Sequence, residues 1–431
     1  MTDVAEVVGG GTPDTKSPQY WGGTIPWITP ADLSGYRSKS ITTGSRSITP
    51  VGLQHSGARL MPAGAVLLSS RAPVGYVAIA ACPVSTNQGF KSFVLRDGLI
   101  SDYVYWYLSG NTDLIREFAS GTTFMEVSGR RAAEIPIPIP PFAEQRRIVA
   151  ALEEHLSELD AAVAGLERAR ANAIRLVEAI RDNALSQYPS LRFGTMLAAP
   201  LANGRSVPTA ERGFRVLRLT CLKSGIVDQS ECKIGAWDAQ AARPFLIRSG
   251  DFLISRGNGS RTLVGRGGLV GDLSTDVAYP DTLIRARPDT SKLLPEYLRI
   301  AWDSLLVRRQ IEEAARTTAG IYKINQQDIE RIELPAPLSI EEQQRVALIV
   351  DERVEASRRC IADIDVQLLR ASRLRQSILK HAFEGKLVPQ NPNDEPASAL
   401  LERIRAEREA SESRAPRTRA KSKSPARPRR R

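Results

Sequence analysis

Between Asp32 and Asp97 the sequence holds no aspartate or glutamate, yet it places Arg37, Lys39, Arg46, Arg59, Arg71, Lys91 and Arg96 there. Cationic side chains on segments rich in Gly, Ser and Thr, with no acids to neutralise them, are what contact with nucleic-acid phosphates requires. An ordinary solvated face mixes both signs. A weaker copy of the pattern spans 239–271, where Arg243, Arg248, Arg256, Arg261 and Arg266 face the single acid Asp251. From the two stretches, Arg37, Lys39, Arg46, Arg71, Lys91, Arg248, Arg256, Arg261 and Arg266, together with Lys323, form the set of candidate DNA contacts.

Within that set, Arg71 and Arg256 close similar phrases, GAVLLSSR and GDFLISR. Each reads as a short apolar strand delivering an arginine to a loop, where a guanidinium can donate two hydrogen bonds to guanine or phosphate. The competing reading for any one of them is a surface ion pair with a nearby carboxylate. Lys91 follows Asn87-Gln88-Gly89-Phe90, in which the two amides suit loop-fixing bonds to the backbone better than contacts with bases. Trp21, Trp27 and Pro30 are assigned to the fold, and Thr122, Thr123, Thr317 and Thr318 to turns or caps.

Other chemistry finds little support. Gly9-Gly10-Gly11 and Gly265-Arg266-Gly267-Gly268 invite a cofactor-loop reading, hence a DNA methyltransferase, but neither has the strand, G-x-G, helix context. No Asn-Pro-Pro-Tyr-like segment is present to hold a target base, and no G-x-x-x-x-G-K-[ST] loop to hold ATP. Three histidines and four cysteines without a CxxC pair suggest neither a metal site nor a disulfide framework, which fits a reducing cytoplasm. Residues 1–11 lack a basic n-region and an apolar h-region, and no apolar run approaches eighteen residues, so neither secretion nor membrane insertion is expected. The formal charge of +11 is mostly local: 414–431 holds nine basic residues and no acid, leaving +2 for the other 413. This tail has no apolar periodicity and reads as disordered, either solubilising or a non-specific polyanion-binding arm.

What positions the cations is a duplication. Residues 144–187 contain no proline and one glycine, and mix six basic with eight acidic residues. Leu156, Leu159, Val163, Leu166, Ala173, Val177, Ile180 and Ala184 recur at steps of three and four with Arg170 in the gap, a heptad seam that Tyr188-Pro189 ends. A second seam runs from Ile340 through Val346, Val350, Ile361, Ile364, Leu368, Ala371 and Ile378 to Gly385, a helix cap. Helices of about 44 residues, roughly 65 Å at 1.5 Å per residue, are too long for a local core and are expected to pair antiparallel with each other. Ahead of each lies an apolar-proline alternation followed by Glu-Gln: IPIPIPPFAEQ and IELPAPLSIEEQ. Tyr103-Val104-Tyr105-Trp106-Tyr107-Leu108 matches Tyr297-Leu298-Arg299-Ile300-Ala301-Trp302, and Thr122-Thr123 matches Thr317-Thr318, so the order of features is the same twice. The fold class expected is α+β: two mixed α/β domains and two long helices forming an antiparallel coiled coil, with an internal pseudo-twofold repeat.

These phrases, in this order, resemble the specificity subunit of type I restriction-modification systems over nearly the whole chain. GGGTPDTKSPQYWGGTIPWITPADL, SSRAPVGYVAI and NQGF look like a first target recognition domain. PIPPFAEQRRIVAALEEHLSELD and LSIEEQQRVALIVDERVE look like the starts of the two repeated spacer helices, and ILKHAFEGKLVPQ like the end of the second. The resemblance implies a non-catalytic subunit that reads a bipartite, asymmetric site in double-stranded DNA. Two methyltransferase subunits would dock along the helices and restriction subunits would add to that core; AdoMet and ATP would belong to those partners and no cofactor to this chain. The implied domains are 1–141 and 189–338 for target recognition, 142–188 and 339–388 for the spacer helices, 389–413 for a linker and short helix, and 414–431 for the tail. Two departures stand out. The segment 191–197 has no counterpart before Val4, as if a leading strand of the first domain were missing or dispensable, and one extra residue separates Pro337 from Glu342. A coiled-coil scaffold would explain the helices but not the acid-free basic stretches.

Overall fold

The computed structural model describes residues 1–121, 125–318 and 320–414. Thr122, Thr123 and the tail from 415 onward lie outside the described residues. The chain divides into two compact units, Met1–Val163 with Leu369–Arg431, and Ala164–Leu368.

In the first unit a five-stranded sheet runs in the order Ala5–Gly9, Lys91–Leu95, Val66–Ser70, Val74–Ala80, Ser40–Ile41. Successive side chains of a strand face opposite sides, and the central strand VLLSS uses both. Val66 and Leu68 pack beneath the helix Ser101–Gly110 with Tyr103, Val104 and Leu108, while Leu67 joins Val8, Ile28, Ile41 and Ala78 on the far side. The second unit repeats this. Its six-stranded sheet begins Leu197–Asn203, Leu283–Pro288, Phe252–Ser255, Gly267–Leu269. Phe252 and Ile254 pack beneath the helix Pro295–Trp302 with Tyr297 and Trp302, and Leu253 faces Leu217, Cys221 and Tyr279.

The Glu-Gln that follows each proline run explains itself at this point. Gln145 is fully buried; its Nε2 donates to the carbonyls of Gly98 (3.0 Å) and Pro140 (3.1 Å), and its Oε1 accepts from the Ile100 amide (3.1 Å). Gln343, equally buried, donates to Lys292 (2.8 Å) and Pro337 (3.0 Å) and accepts from Leu294 (2.9 Å). A primary amide is the side chain that offers two donors beside an acceptor on one stem. Tyr103 donates to the Pro138 carbonyl and Tyr297 to that of Pro335. Burial pushes both phenols well above their ordinary pKa, so they remain donors. Carbonyls that a proline run withholds from ladder pairing are thus met by side chains. The extra residue of the second copy makes room for Ser339, whose hydroxyl accepts from the Glu342 amide at the helix start.

The long helices run Phe142–Leu185 and Ile340–Phe383, 44 residues each. The first starts two residues ahead of the expected 144 because the Pro141 carbonyl already accepts from the Gln145 amide. In the first unit Asp160 meets Arg375; in the second Arg170, the residue that interrupts the seam, meets Asp365 at 2.6 Å. Within each unit the helices therefore pack together antiparallel. Their apolar anchors lie in the unit cores: Ile148, Leu152, Leu156, Leu379 and Ala382 in the first, Leu185, Val346, Val350 and Val354 in the second. Gly385 caps the second helix with φ +70, which a Cβ disfavours. In the second unit the strand Ser190–Arg192 pairs with Glu333–Pro335, and the Phe193 amide then donates to Ile332. In the first unit the Met1 amine donates to the Ile135 carbonyl at 2.8 Å. No helix among the described residues is long and apolar enough to cross a membrane.

Candidate nucleic-acid interface

In the first unit the candidate cations separate into two groups. Lys39 is engaged by Asp102 and Glu153, a strut from the edge of the five-stranded sheet to the long helix. Partial burial alone would lower its pKa, but the two carboxylates outweigh that and raise it. Arg46 lies flat on Trp21, 3.5 Å from the ring centroid, with Trp27 edge-on behind; the two indoles donate to the carbonyls of Asp14 and Gly11. A guanidinium held on an indole face supports the loop beneath it. Arg37 is exposed and makes no hydrogen bond or ion pair among the described residues. Arg71 and Lys91 are brought together, both directed at Glu126, at 3.7 and 3.4 Å.

The second unit is less neutralised. Asp251, the one acid of 239–271, is 1% exposed and spent on a two-point pair with Arg287 at 2.7 and 2.9 Å. It cannot screen the surface. Arg248 and Arg256 are exposed, with guanidiniums free of protein partners among the described residues. Arg261 donates to the Glu312 carbonyl, and Arg266 to the Thr262 carbonyl with Asp303 at 3.7 Å. Lys323 sits on the central strand of a three-stranded ribbon, Gly257–Asn258, Ile321–Lys323, Arg316–Thr318, directly opposite Arg316 on one side and Gly257, the residue after Arg256, on the other. Like charges directly opposite each other in an antiparallel pair repel and cost stability unless an anion lies between them. Neither has an acid partner among the described residues.

Arg71 and Arg256 lie in the same loop of their units but are offset by one residue. The Val127 amide donates to Ser70, and the Ile324 amide to Arg256. Arg256 therefore stands where the first unit has Ser70, and Arg71 corresponds to Gly257. The extra serine of GAVLLSSR shifts the arginine by one, which in an extended segment reverses its face. The same bonds equate Glu126 with Lys323. Sequence reasoning missed Glu126 and Arg316; the available signal for Glu126 was its position two residues before the capping Ser128, as Lys323 stands two before Asn325, each cap accepting from the amide three residues on.

The glycine runs have a packing role. A Cβ on Gly10 would fall 1.8 Å from the Asn87 carbonyl oxygen, and one on Gly267 2.2 Å from the Phe252 ring. Among the described residues no cluster of three or more His, Cys, Asp or Glu is placed to hold a metal.

Known proteins match this arrangement. The family model of the type I restriction modification DNA specificity domain covers residues 1–167. The MjaIX specificity subunit of Methanocaldococcus jannaschii is 44% identical over 154 residues, 35% of this chain and 36% of that one. The type I restriction enzyme EcoKI specificity subunit of Escherichia coli K12 is 30% identical over 374 residues, 79% of this chain and 80% of that relative. The chain belongs to the type I restriction-enzyme specificity subunits. It is the component of a restriction-modification complex that recognises DNA and on which the complex assembles, and not the catalytic one. Solved specificity subunits share the fold. A chain from a type I R-M system, described for its complex assembly and conformational transition, superposes with a TM-score of 0.70 at 18% identity, covering 89% of this chain and 96% of that one. The HsdS subunit from Thermoanaerobacter tengcongensis gives 0.51 at 19% identity, covering 89% and 95%.

Proposed function

We propose that this specificity subunit reads a bipartite, asymmetric DNA site, residues 1–141 taking one half-site and 189–338 the other. The segments 142–188 and 339–388 carry two methyltransferase subunits, to which restriction subunits add. AdoMet and ATP are then the partners' cofactors. The observation that carries the reading is the repeat itself: the same glutamine and tyrosine clasps hold two recognition sheets whose exposed charges differ. Two similar scaffolds with unlike surfaces suit two unlike half-sites.

Of the candidate contacts, Lys323 and Arg316, paired across the ribbon, present one face of the second unit's reading surface and Arg256 the other, and Arg248 approaches phosphate. In the first unit Arg71, Lys91 and Arg37 take this role. Lys39, Arg46, Arg261 and Arg266 act chiefly by holding the recognition loops. The tail 414–431, with nine basic residues and no acid, adds non-specific affinity for the polyanion.

The test is to delete the gene, map methylated adenines genome-wide, and restore it. The reading expects one two-part motif to vanish and return. In vitro, the chain binds duplex weakly alone and specifically once its methyltransferase subunit is added. Methyl transfer by the isolated chain would refute the assignment.

A further inference from the structure

The Glu126 carboxylate is an anomaly on this surface. It is the acid that approaches the first unit's two converging cations, Arg71 and Lys91, and its structural counterpart in the second unit is a lysine. Its contacts, 3.7 and 3.4 Å, are longer than the roughly 2.7–2.9 Å of a charge-assisted hydrogen bond. The carboxylate is held in place without being saturated, since two oxygens accept about four hydrogen bonds. It remains 39% exposed and lines a cleft of about 620 Å³ with Pro73, Val74, Arg116 and Met125. Its backbone pairs with that of Arg71 as an isolated bridge, so the two side chains leave the same face.

An acid on a DNA-facing surface meets a restricted set of partners. Phosphates repel it, and the phosphodiester and deoxyribose of a duplex offer acceptors only. The donors a major groove presents are the exocyclic amines, N4 of cytosine and N6 of adenine. Resting on the two-half-site reading above, we propose that Glu126 is a specificity-determining residue of the first half-site, accepting from one such amine while Arg71 and Lys91 orient it and offset its repulsion from the backbone. At the equivalent position of the second unit Lys323 donates instead, to phosphate or to a guanine edge. The two half-sites then differ in polarity at the same place in the fold.

The experiment uses the assembled methyltransferase complex with the wild-type chain, Glu126→Ala and Glu126→Gln, reading motif by methylation mapping and affinity by competition among duplexes that differ at single base pairs. The expected result for Glu126→Ala is loss of discrimination at one base pair of one half-site, by roughly tenfold to a hundredfold, with the other half-site read as before. Glu126→Gln, which keeps the volume and one acceptor, alters preference at the same base pair, and supplies the answer if the alanine variant does not assemble. An unchanged motif with uniformly tighter binding to all duplexes would overturn the proposal, leaving Glu126 as a charge neutraliser. A wild-type complex with no bipartite motif at all would overturn the function reading itself, a separate and recognisable failure.

Discussion

Replacing Gln343 by alanine should unfasten the second unit from its helix. The side chain makes three hydrogen bonds, two donated to carbonyls and one accepted from an amide, and it is fully buried. Each is worth about 1 kcal/mol net, and a partner left buried without water costs about 1–3 kcal/mol more. The Pro337 carbonyl is the one so placed, its bond being buried while the other two are only partly so. The sum is a loss of about 4–6 kcal/mol, a large part of the roughly 5–15 kcal/mol that holds a domain folded. Urea unfolding monitored by peptide-resolved hydrogen exchange would place the loss within 164–368, with residues 1–163 keeping their protection because Gln145 supplies their own clasp. Gln343→Glu keeps the acceptor for Leu294 but sets a carboxylate against two carbonyl oxygens, so its loss at neutral pH should be at least as large and should shrink as the pH falls and the acid protonates. An alanine variant destabilised by less than about 1 kcal/mol would refute the clasp as the device that fixes the helix start.

Three further outcomes follow from the same geometry. Lys323→Ala removes one of two facing cations, so the free protein should gain a few tenths of a kcal/mol in denaturant titration while the complex binds DNA less tightly, with a salt slope shallower by about 0.9 if the contact is to phosphate. Arg256→Ala should relax preference in one half-site and leave the other intact if the guanidinium reads guanine; a uniform loss over all duplexes assigns it to phosphate. Glu342 accepts from Arg345 and Tyr188, which hold its carboxyl down to about 2. Because its folded pKa is depressed, its stabilising contribution is present above the ordinary carboxylate range and lost as the pH falls toward 2; acid titration of Glu342→Gln should show a smaller decline over that interval.

The parts of this molecule legible in its sequence are those set by periodicity. A heptad seam over forty residues admits few structures, and Arg170, which breaks it, turned out to be an interhelical ion pair with Asp365. The duplication was visible in Tyr103 and Tyr297 and in the two Glu-Gln pairs, although no pattern shows that the glutamines bind carbonyls of a proline run. The cations were harder. Composition identifies an acid-free segment but does not show what folds against it: Lys39 met Glu153, 114 residues away, and Lys91 met Glu126, 35 away. Pairing at such separations depends on the tertiary fold, and so does the burial that removes Asp251 from the surface of the second unit.

The one-residue offset between Arg71 and Arg256 carries the functional argument furthest. Alignment by phrase places the two arginines together, whereas the backbone bonds from Val127 and Ile324 place Arg256 on Ser70 and Lys323 on Glu126. The elements that repeat faithfully, Gln145 with Gln343 and Tyr103 with Tyr297, are buried and hold backbone to backbone. The positions that diverge lie at and beside the strand ends: Arg256 and Lys323 are exposed and Glu126 is half-buried, whereas Ser70 is buried and donates its hydroxyl to the Gly89 carbonyl. A serine more or less in that strand moves an arginine to the other face without disturbing Leu68 or Ile254 beneath it. Such a fold can keep one architecture and present many reading surfaces, because clasp and contact are carried by different residues of the same short segments.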